Sequence, residues 1–226
     1  MHLIELPGSD DISLWLAELD HPLDEPSIQS LGEEEIRRSR RFRLPQDRHR
    51  FLASHVATRQ VLSRALNQKP SAIRWMASPG GKPTLADAEL AFNLSHSGGW
   101  ALIGLSRAGP IGVDIEMLAP ISNMADLARR NFTQDEHHQF LQLPPQERLT
   151  GFLRGWTRKE ACLKALGSGL SIEPHIFEAG LEATARDTHI DVSGQRCPMT
   201  VWSVPLPMTA QAAVALIPSS HQHLTL

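Results

Sequence analysis

An α+β fold made of two similar helix-then-strand halves is what this sequence predicts, and three observations carry the prediction. Residues 27–67 have helical periodicity, with Phe51, Leu52, Val56, Val61, Leu62 and Leu66 on one spacing, and short apolar runs separated by glycine-rich turns follow them. The same order recurs after residue 120. The chain has 226 residues, 41% of them hydrophobic, enough to bury a substantial core as one large domain or two small ones. The join falls near Pro110 to Pro120, which divides the chain into an N-terminal half, 1–112, and a C-terminal half, 113–226.

In order along the chain, Ser27 to Arg43 reads as a helix broken by Pro45, and Gln46 to Asn67 as a second helix. Strands are expected at Ile73 to Ala77, Ala91 to Leu94, Trp100 to Leu105 and Ile111 to Met117, punctuated by SPGGKP and SHSGG. Helices are then expected at Ser122 to Asn131, Thr133 to Leu141 and Pro145 to Leu166, the last closed by Gly167. Strands follow within Ile176 to Ala185, Met199 to Val204 and Gln211 to Ile217. The opening MHLIELPGSD has neither a basic n-region nor a sustained apolar stretch, and no apolar run approaches a membrane span. The expectation is a soluble, cytoplasmic protein that binds no membrane. Cys162 and Cys197 form no C-x-x-C pair and are too few for a disulfide framework, which fits a reduced compartment.

The net charge of −3 conceals an asymmetry: residues 36–64 hold nine arginines and a single acid, Asp47. Such clustering is either an electrostatic footprint for an anionic partner, nucleic acid being the default, or a solvated helix surface.

Chemistry enters at GVDIEM, residues 112–117. On a strand Val113, Ile115 and Met117 point one way and Asp114 and Glu116 the other. The two acids read as a solvated face, or as neighbouring carboxylates able to reach one cation. In PQERLTGFLRGWTRKEACLKALGSG, Leu149, Phe152, Leu153, Trp156 and Leu163 form an apolar stripe with Glu160 in its middle. A carboxylate there must be protonated, paired or bound to a metal. Lys164 lies one turn on, as an ordinary i,i+4 partner or as a cation aimed at the same place. In FNLSHSGGW, Ser95, His96 and Ser97 before two glycines suit a phosphate-binding nest, or equally a hairpin turn. Lys82 leaves the glycine turn SPGGKP. Thr133 and Glu136 read as a capping box, and His137, His138 and the HQH at 221–223 as surface residues. No G-x-G-x-x-G, Walker A or G-x-S-x-G stretch is present. Hard oxygen ligands beside clustered cations imply magnesium, a polyphosphate and phosphoryl-type transfer.

GVDIE at 112–116, WTRKEACLKALGSGL at 156–170, and FNLSHSGGW at 92–100 preceded by GKP at 81–83 together resemble the Sfp-type 4′-phosphopantetheinyl transferases, over about residues 33–172. The resemblance implies a pseudo-twofold monomer with its active site in the cleft between two α/β halves. Its co-substrate is coenzyme A and its cofactor Mg²⁺, with Mn²⁺ as an alternative ion. In that family a carrier-protein serine (acyl, peptidyl or aryl carrier) attacks the β-phosphate and adenosine 3′,5′-bisphosphate leaves. Carried over by motif, Asp114, Glu116 and Glu160 would hold the metal. Lys164 would contact the phosphates, and Lys82, Ser95 and His96 the diphosphate and the 3′-phosphate. Arg50 matches the nucleotide-binding arginine, and Arg38 a basic position in the preceding helix. Glu160 and Lys164 are thus the expected catalytic pair, and Glu136 lies between a capping role and one near the metal. The competing expectation is a nucleic-acid-binding module using the arginine-rich helices.

Overall fold

The computed structural model describes residues 2–77, 81–85, 89–167 and 172–219. The tail motif at 221–223, residues 78–80 of SPGGKP and residues 168–170 at the end of WTRKEACLKALGSGL lie outside the described residues.

The chain opens with a hairpin that the sequence reading left unassigned, β1 (His2–Ser9) and β2 (Ile12–Glu18). Pro7 is tolerated within β1 because β1 is an edge strand and the register shifts between Leu6 and Ser9. The expected helix at 27–43 is two helices, α1 (Glu25–Gln29) and α2 (Glu33–Ser39), because Gly32 interrupts them as the N-cap of α2 and the Glu35 carboxylate accepts its N–H at 2.7 Å. Helix α3 (Pro45–Leu66) starts on a proline, favourable in a first turn, and ends at left-handed Asn67. A short ribbon, β3 (Trp75–Ala77) with β4 (Pro83–Leu85), leads to β5 (Ala91–Ser97) and β6 (Trp100–Ser106). The first antiparallel sheet runs β1-β2-β6-β5, and α3 covers it through Ala53, Ala57, Val61 and Leu62 against Ala17, Ala101, Ile103 and Leu105.

Strand β7 (Ile111–Met117) opens the second sheet. Helices α4 (Met124–Asn131), α5 (Gln134–Gln142) and α6 (Arg148–Leu166) follow, then β8 (Arg186–Val192), β9 (Gln195–Ser203) and β10 (Ala210–Leu216) in the order β7-β10-β9-β8. The last helix begins at Arg148, after a 3₁₀ turn at Pro145–Glu147, rather than at Pro145. The inner faces of the two sheets share one core, where Leu14, Leu16 and Leu102 meet Ile111, Val113, Ile115 and Val214. Helix α6 packs on the other face of the second sheet through Ala161, Cys162, Ala165 and Leu166.

The expected strand within 176–185 does not form. The carbonyls of this stretch and of Pro174 just before it find cationic side chains of α6 instead of a ladder: Arg154 Nη1 donates to Leu181 O, Arg158 to Ala179 O (2.6 Å) and Thr184 O (3.0 Å), and Lys159 Nζ to Pro174 O (2.8 Å) and Phe177 O (2.5 Å). Every buried carbonyl needs a donor, and here the helix supplies it. Strand pairing resumes at Arg186.

Candidate functional site

Strands β5 and β7 are edges of different sheets, and side chains join them where a ladder would otherwise run. Val113 N–H donates to Asn93 Oδ1 at 2.8 Å and Met117 N–H to Ser97 Oγ at 3.2 Å. Asn93, Ser95 and Ser97 alternate along β5, so one strand face carries the whole set. Ser95 hydroxyl donates to Asp114 Oδ1 at 2.8 Å, and Ser97 hydroxyl to Glu116 Oε2 at 2.7 Å.

Helix α6 lies against β7 because residue 112 is glycine. A Cβ there would stand 2.0 Å from the Ala161 carbonyl oxygen and 2.3 Å from the Ala165 nitrogen. At this separation Lys164 Nζ reaches Asp114 Oδ1 at 2.6 Å and Ser95 Oγ at 2.9 Å. The pairing of Lys164 is therefore with the strand acid, across the two elements.

Asp114 is 4% exposed, and burial raises its pKa above the ordinary value despite the opposing pull of Lys164 and Ser95. Its Oδ2 is buried without a hydrogen-bond partner. Burial also raises Glu116, and it raises Glu160, to which the charges of Asp114 and Glu116 add. The three carboxylates therefore feel one another. A site with one buried orphan oxygen and three mutually repelling hard-oxygen donors has the chemistry of a divalent-cation site. As they stand, no three acidic, histidine or cysteine side chains among the described residues are gathered around a single point; Lys164 occupies Asp114 Oδ1 and Ser97 occupies Glu116 Oε2.

The residues that the resemblance assigns to the nucleotide and diphosphate fall in four places. His96 is exposed on the rim of the same strand, and its pKa is lowered by partial desolvation, then by Lys164 and Arg50. Arg50 makes a two-point ion pair with Asp20, both contacts 2.7 Å, beside Gly99. Arg38 is exposed, its guanidinium 5.5 Å from the centre of the Phe51 ring. Lys82 lies behind the acids: its Nζ donates to Ile111 O at 2.9 Å and Ala165 O at 2.8 Å, and burial lowers its pKa to about 8. It ties the start of β7 to the last turn of α6. A cavity of about 540 Å³ adjoins it, lined by Leu85, Phe92, Arg107 and Leu166 and by none of the three acids.

Glu136 has its partners elsewhere. Its Oε2 meets Lys159 Nζ at 2.7 Å and Thr133 N–H at 2.9 Å, and Oε1 accepts from Ala179 N (2.8 Å) and Gly180 N (3.0 Å). The capping role is present, joined to a buried ion pair that anchors the 174–184 segment. Asn93, Asp20 and Lys159 were not singled out from the sequence. Ser97 was read only as part of the SHSGG turn, and here it pairs with Glu116 instead; Asp20 had no signal.

Residues 110–213 match the 4′-phosphopantetheinyl transferase superfamily and residues 25–107 the 4′-phosphopantetheinyl transferase N-terminal family. The 4′-phosphopantetheinyl transferase HetI of Nostoc sp. is 37% identical over 171 residues, 72% of this chain and 71% of that protein. Sfp of Bacillus subtilis, named for the same activity, is 34% identical over 168 residues, 72% of this chain and 74% of its own length. A Synechocystis sp. protein named provisionally for that activity is 41% identical over 162 residues, 70% of this chain and 65% of its own length.

Proposed function

Because the chain belongs to the 4′-phosphopantetheinyl transferase superfamily, with its Sfp-type members among its relatives, we propose that it moves the 4′-phosphopantetheine arm of coenzyme A to a serine of an apo carrier protein. The observation that carries this reading is the group formed by Asp114, its orphaned Oδ2, Glu116, Glu160 and the Lys164 ammonium on Asp114 Oδ1. Asp114, Glu116 and Glu160 would hold Mg²⁺. When bound, that ion supplies charge neutralisation at the diphosphate.

The chain's own residues do the rest. Lys164 offers its ammonium to the same phosphates, and the small side chains Ser95 and Ser97 keep β5 open beside the acids. His96 on the rim and Arg50 across from it serve the nucleotide's phosphates, and Arg38 lies on the same basic side. Lys82 serves the site by fixing α6 against β7. In the reaction, the carrier serine Oγ forms a bond to the β-phosphorus and the bridging oxygen leaves with adenosine 3′,5′-bisphosphate. The serine proton passes to a carboxylate of this group, and Glu160, on the helix facing the strand acids, is the base that the variant below tests.

The strand orders β2-β6-β5 and β7-β10-β9, each with one long helix packed on it, support two similar halves meeting near residue 112, with the site between them. The reading extends to a monomer acting in the cytoplasm. No helix among the described residues is long and apolar enough to cross a membrane. A nucleic-acid role would leave the three acids without work, and nothing in the relatives' names favours it. Glu160→Gln tests the proposal: transfer to an apo carrier should fall at least about a hundredfold with the melting temperature retained. Wild-type turnover would remove Glu160 from the chemistry.

A further inference from the structure

We infer that Asp20 is a positioning residue for coenzyme binding: it grips the Arg50 guanidinium at two points and thereby aims the remaining N–H groups at the nucleotide. The inference rests on the reading above, in which Arg50 faces the coenzyme. Asp20 Oδ1 accepts from Arg50 Nε and Oδ2 from Nη2, both at 2.7 Å, so one edge of the planar guanidinium is fixed and the Nη1 edge is left to a ligand. The carboxylate is itself fixed. Asp20 follows β2, where Leu19 N–H donates to Gly99 O at 2.8 Å and ties the strand end to the turn carrying Ser95 to Ser97.

Gly99 belongs to this device. A Cβ at that position would lie 2.6 Å from Asp20 Oδ2 and 3.6 Å from Arg50 Nη2, so a side chain there would displace the pair. The second glycine of SHSGG thus makes room for a carboxylate from the bend that follows β2. The Asp20 side chain is 49% exposed and that of Arg50 21%, and an ion pair so open to water adds little to stability. Its two-point geometry supplies orientation instead, the property in which arginine differs from lysine. The Arg50 hydrogen bond holds Asp20 below the usual carboxylate range, so the grip persists at any assay pH near neutral.

Asp20→Asn preserves shape and removes one of the two contacts. With an apo carrier and Mg²⁺, the KM for coenzyme A should rise roughly tenfold with kcat within about twofold of wild type. The preference for coenzyme A over 3′-dephospho-coenzyme A should shrink by a similar factor, and the melting temperature should stay within about 2 °C. A purely structural role would instead lower the melting temperature and weaken both coenzymes alike. Arg50→Ala, measured in parallel, separates the role of Asp20 from the placement of the coenzyme. If Arg50→Ala raises KM and Asp20→Asn does not, the positioning role of Asp20 is overturned. If Arg50→Ala leaves KM unchanged, the placement of the nucleotide beside Arg50 fails and the role of Asp20 fails with it.

Discussion

Lys159 offers the sharpest test of how α6 is held. Its side chain is 1% exposed and that of Glu136 is 2%, and Nζ serves the Glu136 carboxylate, Pro174 O and Phe177 O together. Lys159→Met removes the cation while filling much of its volume, which leaves a buried carboxylate without its counterion and two carbonyls without donors. Removing one partner of a buried pair costs about 3–5 kcal/mol. For a chain of this size that is a fall in melting temperature of about 6–20 °C. The Glu136→Gln, Lys159→Met double variant should recover part of the loss, giving a coupling of about 1–3 kcal/mol in a double-mutant cycle. The pH dependence has a definite sign. Burial works against the ionised Glu136, but Lys159 and the backbone N–H groups outweigh it and hold the pKa below the ordinary value. The stability it contributes is therefore present above the unfolded value of 4.5 and is lost as pH falls through the lower folded value. In Lys159→Met burial prevails and lifts the folded value above 4.5, so the sign reverses: the native state then binds the proton first and stability should rise as pH falls through that raised value. Thermal melts followed by circular dichroism between pH 3 and 8 read all of this. A single variant melting within about 2 °C of wild type, or strictly additive effects, would refute the reasoning.

Two further outcomes follow from particular contacts. Gly112→Ala drives a methyl into the Ala161 carbonyl and the Ala165 nitrogen, which are backbone atoms. It should cost more than the roughly 1–3 kcal/mol typical of overpacking, read as a lowered urea midpoint. Burial holds His55 at about 4 against an ordinary value of 6.5, with Glu35 opposing and Arg38 and His96 adding. The unfolded chain therefore binds the proton first, and stability should decline by about 2–3 kcal/mol as pH falls from 6.5 to about 4. His55→Gln should flatten that part of the urea-midpoint profile, and an unchanged slope would count against it.

The parts of the molecule that could be read from sequence are those governed by local pattern. The strand acids of GVDIEM share a face because alternation requires it, and they do so here, with Gly112 on the same side against α6. Glu160 on an apolar stripe announced a special carboxylate, and its neighbours are the strand acids. The remainder depended on long-range partners. Residues 176–185 have the texture of a strand, yet Arg154, Arg158 and Lys159 claim their carbonyls from a helix some twenty positions earlier. Nothing in WTRKEACLK says that Arg158 and Lys159 are buried, because long cationic side chains are ordinarily exposed. The N-terminal hairpin was not assigned from the sequence, and its first strand carries Pro7, which is accommodated because that strand is an edge. Asp20 is one acid at a strand end, and only the fold brings it to Arg50.

The central claim is that the acids of β7 and α6, with Lys164, perform phosphopantetheinyl transfer. The most direct measurement is the intact mass of a purified apo carrier protein after incubation with this protein, coenzyme A and Mg²⁺, with and without EDTA. The account predicts the gain of one phosphopantetheine arm, lost on chelation and lost again in Glu160→Gln. An unchanged mass across carriers of fatty-acid, polyketide and nonribosomal-peptide synthesis would contradict it.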